Sequence, residues 1–174
     1  MPKLPSMPEA VVEAPMPYGR QSISEEDVEA VVAALRSDWL TCGPRVEEFE
    51  NRFAAMTGAR HAIAMNSATS ALHIAMLVAG VSRGDRVITS PNTFLASANC
   101  AAFTGATPDF ADIDPVTYNL DPKELEKVWG TGAKAIVAVD YAGQPCDMPS
   151  LYEFAHQRGA LVIEDACHAA GGGF

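Results

Sequence analysis

The residues best suited to chemistry lie in the stretch 161–170, LVIEDACHAA. Leu161, Val162 and Ile163 form a short apolar run of the kind that makes a buried strand. Glu164, Asp165 and His168 follow where such a strand would end. In open α/β sheets, ligands sit outside the carboxyl ends of the strands. A carboxylate buried there is costly unless a cation or a hydrogen-bond donor meets it. The protonated ring nitrogen of pyridoxal phosphate is one such cation, because that cofactor is an electron sink while its nitrogen stays positive. An aspartate that caps the next helix is the alternative. His168 lies three residues after Asp165, so one helical turn would carry both on one side. A surface histidine would have the same spacing.

Two other turns carry candidate groups. Residues 66–70 read Asn-Ser-Ala-Thr-Ser, between an expected strand at 62–65 and an Ala/Leu-rich helix at 71–78. Small residues at a helix start leave backbone N–H groups and the helix dipole open to an anion such as phosphate. Ser and Thr there are also ordinary caps. Thr93-Phe94 follows the strand expected at 86–89. Phe94 could lie flat on a planar ring or pack in the core, the commoner fate of phenylalanine. Asp112 and Asp114 look like paired carboxylates, but their setting before Pro115 favours turn and cap duty. His61, His73 and His156 have no partner in sequence and receive no role. There is no GxGxxG and no P-loop lysine, so those nucleotide fingerprints are absent.

The elements that must position these residues alternate. Ser24 opens a helix with Asp27 three residues on, a shortened capping box. Val28, Val31, Val32 and Leu35 give it one apolar face. Residues 38–44 break the pattern. A second amphipathic helix uses Val46, Phe49, Phe53 and Met56 and ends at Gly58. Strands are then expected at 62–65, 86–89, 108–111, 135–139 and 161–163. Between them come a helix ending near Phe103, a helix opened by Asp121-Pro122 and a helix opened by Pro149. Residues 112–120 read as irregular. Five strands joined by helical crossovers imply an α/β fold of three layers, α/β/α, with a mostly parallel sheet.

Composition sets limits. The chain has 174 residues, 48% hydrophobic and 20% charged, and a net charge of −10. That mass supports a real core, and the charge argues against a nucleic-acid surface. Cys42, Cys100, Cys146 and Cys167 form no CxxC pair, which reads as reduced, mostly buried thiols in a cytoplasmic protein without structural zinc. Residues 1–17 carry five prolines and no apolar h-region, so they read as an extended arm rather than a signal peptide. No apolar run approaches the roughly 20 residues that span a membrane.

The order of the weak signals matters. An anion turn after the first strand, a ring-facing aromatic after the second and a carboxylate at the last resemble the large domain of fold-type I pyridoxal-phosphate enzymes. The motifs SDWLTCGPRVEEFE, NSATSALH, PNTFLASANC, VDYAGQPCDM and VIEDACHAAGG resemble the DegT/DnrJ/EryC1 family of sugar aminotransferases more closely. The resemblance covers residues 15–174. YGRQSI with SDWLT is most similar to the branch that transaminates a UDP-linked 4-keto-6-deoxy-N-acetylhexosamine in pseudaminic acid biosynthesis. Cys42 departs from the glutamine usual in that family's LTQGP.

The resemblance implies pyridoxal phosphate as cofactor and glutamate as amino donor. It implies that Ala68 and Thr69 hold the phosphate, Phe94 stacks on the ring, Asp165 pairs with the ring nitrogen and His168 lies near the ring oxygen. It also implies that Tyr18, Asp38, Trp39, Leu40 and Thr41 approach the sugar nucleotide, and that the complete enzyme is a homodimer. The family's Schiff-base lysine follows the strand that carries the aspartate. Lys3, Lys123, Lys127 and Lys134 all precede it, so that lysine is expected beyond Phe174. On this reading residues 18–174 are an incomplete large domain, inactive alone, with an exposed sheet edge prone to association. A sugar dehydratase of the same family, in which histidine replaces the lysine, is one alternative. A non-catalytic α/β interaction fragment is another.

Overall fold

The computed structural model describes residues 20–172. Tyr18 and the arm expected over residues 1–17 lie outside the described residues. The chain divides into two compact units, Met1–Glu48 and Phe49–Phe174.

In the first unit, helix α1 spans Glu25–Leu35 and starts as its sequence predicts. The Ser24 side chain accepts from the Asp27 N–H at 3.2 Å, and Asp27 accepts in return from the Ser24 N–H at 2.8 Å. Two of the donors left free at a helix start are thereby satisfied. Glu25, Glu26 and Asp27 also place negative charge against the positive end of the dipole. The apolar face of Val28, Val31, Val32 and Leu35 is exposed. Helix α2, Pro44–Thr57, begins in this unit with proline at its first position, where a missing N–H costs nothing. Gly58 follows it with φ of 71°, a left-handed stop open to glycine.

The second unit is built on a four-stranded parallel sheet in the order β2-β1-β3-β4. The strands are β1 (Arg86–Thr89), β2 (Thr107–Phe110), β3 (Ala133–Val139) and β4 (Leu161–Asp165). The helices are α3 (Ala68–Val78), α4 (Ala96–Phe103), α5 (Pro122–Val128) and α6 (Met148–His156). Side chains alternate across each strand, so adjacent apolar residues feed opposite faces. Val87 and Val137 pack with Leu72 and Met76 of α3 and Cys100 of α4. Their neighbours Ile88 and Ile136 pack with Leu125 of α5 and Leu151 of α6. Helices thus cover both faces, giving the three-layer α/β architecture that the alternation implies. Full burial of a side chain such as Leu151 stabilises this packing by about 1.5–3 kcal/mol.

One expected strand does not form. Residues 62–65 pair with no strand among the described residues, so the sheet has four strands rather than five. Ile63 is 75% exposed, and the Ala64 N–H donates to the Glu50 carboxylate at 2.7 Å. A strand exists through its ladder to a neighbour, which an apolar run cannot supply by itself. The other boundaries shift by a few residues. Helix α6 starts at Met148 because Asp147, not Pro149, supplies the cap, accepting from the Ser150 N–H at 3.2 Å. Residues 112–120 are irregular as expected. Asp114 accepts from the Val116 and Thr117 N–H groups at 2.8 and 2.9 Å, which is turn duty rather than a carboxylate pair.

Buried Asn119 clamps the segment that leaves β3. Its amide donates to the Gln144 and Pro145 carbonyls at 2.8 and 3.0 Å, and its oxygen accepts from the Tyr141 N–H at 2.9 Å. Asn119→Ala strands three backbone groups at once. Urea unfolding should show a loss of about 1–3 kcal/mol, through a lower midpoint at unchanged slope. A loss under about 0.5 kcal/mol would mean that water replaces the clamp.

Candidate active site

The carboxyl ends of the parallel strands form one rim of the second unit. Asp165 ends β4 there and is 8% exposed. Its Oδ2 accepts from the Ser97 hydroxyl at 2.8 Å, and its Oδ1 meets the Cys167 thiol. Among the described residues no Lys, Arg or His pairs with it. Both donors are side chains, and residues 167–171 form turns rather than a helix. Asp165 is therefore no helix cap, and the capping alternative does not hold. Its charge lies instead beside the first turn of α4, where the dipole is positive.

Phe94 sits in the loop between β1 and α4 and is 76% exposed, so it is not a core residue. Ser97 links it to Asp165, because the Ser97 N–H donates to the Phe94 carbonyl at 3.1 Å.

Helix α3 fixes Ala68 and Thr69 at the same rim. Beyond its far end the Gly80 carbonyl accepts from Lys134 Nζ at 2.6 Å, and Lys134 stands at the amino end of β3. The helix has 11 residues, roughly 16 Å of length, so its start lies toward the carboxyl ends. Ser67 caps it, accepting from the Ser70 N–H at 3.2 Å. Among the described residues no acceptor meets the N–H groups of Ala68 or Thr69, which leaves them open to an anion.

His168 is exposed on the turn after Asp165. Its carbonyl is the close neighbour of Gly143, where an added Cβ would come within 2.9 Å. Gly143 has φ of 88° and Ala142 φ of 53°, so this turn after β3 is tightly wound against the Asp165–His168 segment. Glu164 points to the other face of β4 from Asp165. Burial, with the hydrogen bond and charge of Asp140, raises its carboxyl above the usual range. A cavity of about 460 Å³ adjoins Asp140, Pro145, Glu164 and Ala169 and includes none of Ala68, Thr69, Phe94 or Asp165.

The thiols divide evenly rather than being mostly buried. Cys100 and Cys146 are buried, while Cys42 and Cys167 are exposed. Burial, then the hydrogen bond to Asp165, pushes the Cys167 thiol up to about 11, so it stays a neutral donor at physiological pH.

Asp38, Trp39, Leu40 and Thr41 belong to the first unit, in an exposed loop after α1. Gly43 packs on Trp39, where a Cβ would come within 2.7 Å, and Cys42 adopts φ of 44°. Lys127 pairs with Glu124, and Lys134 pairs with Asp85 at the rim opposite Asp165. Among the described residues no cluster of three or more His, Cys, Asp or Glu is arranged to hold a metal, and no helix is long and apolar enough to cross a membrane. Ser97 and Thr93 are site residues to which the sequence alone assigns no role. The available signal was a hydroxyl three residues after Phe94, in the first turn of a helix.

The model of the DegT/DnrJ/EryC1/StrS aminotransferase family matches residues 21–174. The chain belongs to this family. It is 47% identical over 154 residues to the spore coat polysaccharide biosynthesis protein SpsC of Bacillus subtilis, covering 88% of this chain and 40% of that protein. The structure of an aminotransferase from Psychrobacter cryohalolentis superposes with a TM-score of 0.83 at 36% identity, over 88% of this chain and 40% of that one. NtdA from Bacillus subtilis, solved with its cofactor PMP bound, gives a TM-score of 0.81 at 32% identity, over 87% and 36%. The chain spans 40% or less of the length of these relatives. The parallel α/β fold is that of the family's aminotransferases.

Gly143 and Gly159 separate a site contact from a bare backbone preference. Both have positive φ, but Gly159 has open space where Gly143 meets the His168 carbonyl. Gly159→Ala should cost about 1–2 kcal/mol in denaturant unfolding. Gly143→Ala should cost clearly more, because backbone must move as well. Equal losses would mean that the turn after β4 yields freely.

Proposed function

We propose that this chain is the amino-terminal, cofactor-holding part of a pyridoxal-phosphate-dependent sugar aminotransferase. The complete protein moves an amino group from glutamate to the C4 keto group of a UDP-linked 4-keto-6-deoxy-N-acetylhexosamine. It works in the cytoplasm as a homodimer. Residues 18–174 are then the first part of the large domain.

The observation that carries this reading is Asp165: a buried carboxylate at a ligand-binding rim, held by neutral donors and lacking a cation among the described residues. A protonated pyridine nitrogen supplies that cation. The other rim residues fit the same group. Exposed Phe94 offers an aromatic face for a planar ring. The open N–H groups at Ala68 and Thr69 suit its phosphate. His168, exposed on the turn three residues after Asp165, is assigned to the ring oxygen. PMP in NtdA is the aminated form of this cofactor, and the name of SpsC points to polysaccharide building blocks.

When bound, the cofactor would supply the electron sink that amino-group transfer needs. The chain's own residues do the rest. Asp165 would hold the ring-nitrogen proton. Phe94 would lie against the ring, and the start of α3 would hold the phosphate end. Tyr18 and residues 38–41 contact the sugar nucleotide.

Asp165→Asn in the full-length protein tests the reading, since the two side chains are nearly equal in size. An amide does not keep the ring nitrogen protonated. A buried ion pair without its anion costs about 3–5 kcal/mol. The single-turnover rate with glutamate should fall by about two to four powers of ten, with a smaller change in KM. A rate within about threefold of the parent would contradict the assignment, because an interaction used only for folding leaves chemistry nearly unchanged.

A further inference from the structure

Ser97 is fully buried in the first turn of α4, yet it does not cap that helix. The N-cap position is held by Leu95, which makes no side-chain cap. The Ser97 N–H and hydroxyl tie three neighbours together instead. Its N–H donates to the Phe94 carbonyl at 3.1 Å. Its hydroxyl lies 2.8 Å from Asp165 Oδ2 and 2.7 Å from the Thr93 hydroxyl. A carboxylate only accepts, so the Ser97 proton must point at Asp165. The Ser97 oxygen then has lone pairs alone to offer Thr93, and the Thr93 hydroxyl must be the donor. The bonds form a directed chain, Thr93 to Ser97 to Asp165.

From this geometry we infer that Ser97 is a positioning residue: with Thr93 behind it, it fixes the orientation of the Asp165 carboxylate and ties it to the loop that carries Phe94. The inference rests on the pyridoxal-phosphate reading above. It adds that one residue touches both: the Ser97 hydroxyl holds the carboxylate for the ring nitrogen, and the Ser97 N–H holds the carbonyl of Phe94, the residue for the ring face. A carboxylate free to rotate about its χ angles would meet the ring nitrogen in only some of its rotamers. The Ser97 bond restricts it before the ligand arrives, which is preorganisation.

The test is titration of the full-length apoprotein with pyridoxal 5′-phosphate, followed by absorbance, in a cycle of Ser97→Ala, Asp165→Asn and the double variant. Ser97→Thr serves as the conservative rescue. Ser97→Ala should weaken binding by about tenfold or more, the scale of a lost hydrogen bond to a charged group. Ser97→Thr should restore binding to within about threefold of the parent. In the Asp165→Asn background, Ser97→Ala should change affinity less than about twofold, because the two residues act as one unit. A merely structural role for Ser97 would weaken binding equally in both backgrounds, and that result overturns the proposal. So does unchanged binding by Ser97→Ala while the parent binds well. If Ser97→Ala does not fold, Thr93→Val decides in its place: it removes only the upstream donor and should weaken binding in the parent background alone. A parent protein that does not bind pyridoxal phosphate would overturn the cofactor reading itself, and this inference with it.

Discussion

The constraint on which the site depends is the cost of burying a carboxylate. Asp165 is nearly enclosed at the end of β4. A charge in such a place is tolerated only where donors or an opposite charge replace its water. The chain itself supplies the Ser97 hydroxyl, the Cys167 thiol and the positive end of α4. All three are neutral or fractional in charge. They solvate the carboxylate without neutralising it, and so leave it able to bind a cation. A lysine or arginine in their place would stabilise the fold and block the function proposed here.

The parallel sheet turns this local condition into a site. Each strand delivers its carboxyl end to the same rim, and each crossover returns the chain to the opposite side. The start of α3, the loop after β1 and the end of β4 therefore converge, although Ser97 and Asp165 are 68 residues apart in sequence. The turn after β3 supports the same rim from beside it. Asn119 clamps it from one side, and Gly143 rests against the His168 carbonyl on the other. The positive φ values at Ala142 and Gly143 mark a backbone wound tightly for that purpose.

What was legible in the sequence was mostly local. The Ser24–Asp27 box, the Asp121-Pro122 start of α5 and the turn duty of Asp114 each depend on residues within three or four positions. The position of Asp165 at a strand end was legible too, because a short apolar run defines β4. Residues 62–65 misled because their apolar character resembles a strand, whereas pairing is decided by a neighbour far away in sequence. Phe94 was ambiguous for the same reason, since only the tertiary structure tells an exposed ring from a core one. The Ser97–Asp165 bond was invisible, because nothing near either residue announces the other. Family motifs narrowed the choice at Asp165 and Phe94. They gave no account of which donors hold the carboxylate.

The central claim is that Asp165 exists to hold a protonated ring nitrogen. The direct measurement is nitrogen-15 NMR of the full-length protein carrying pyridoxal phosphate labelled at the ring nitrogen. The account predicts a protonated nitrogen at neutral pH whose proton is hydrogen-bonded to the Asp165 carboxylate. An unprotonated nitrogen, or a proton bonded to another residue, would contradict it.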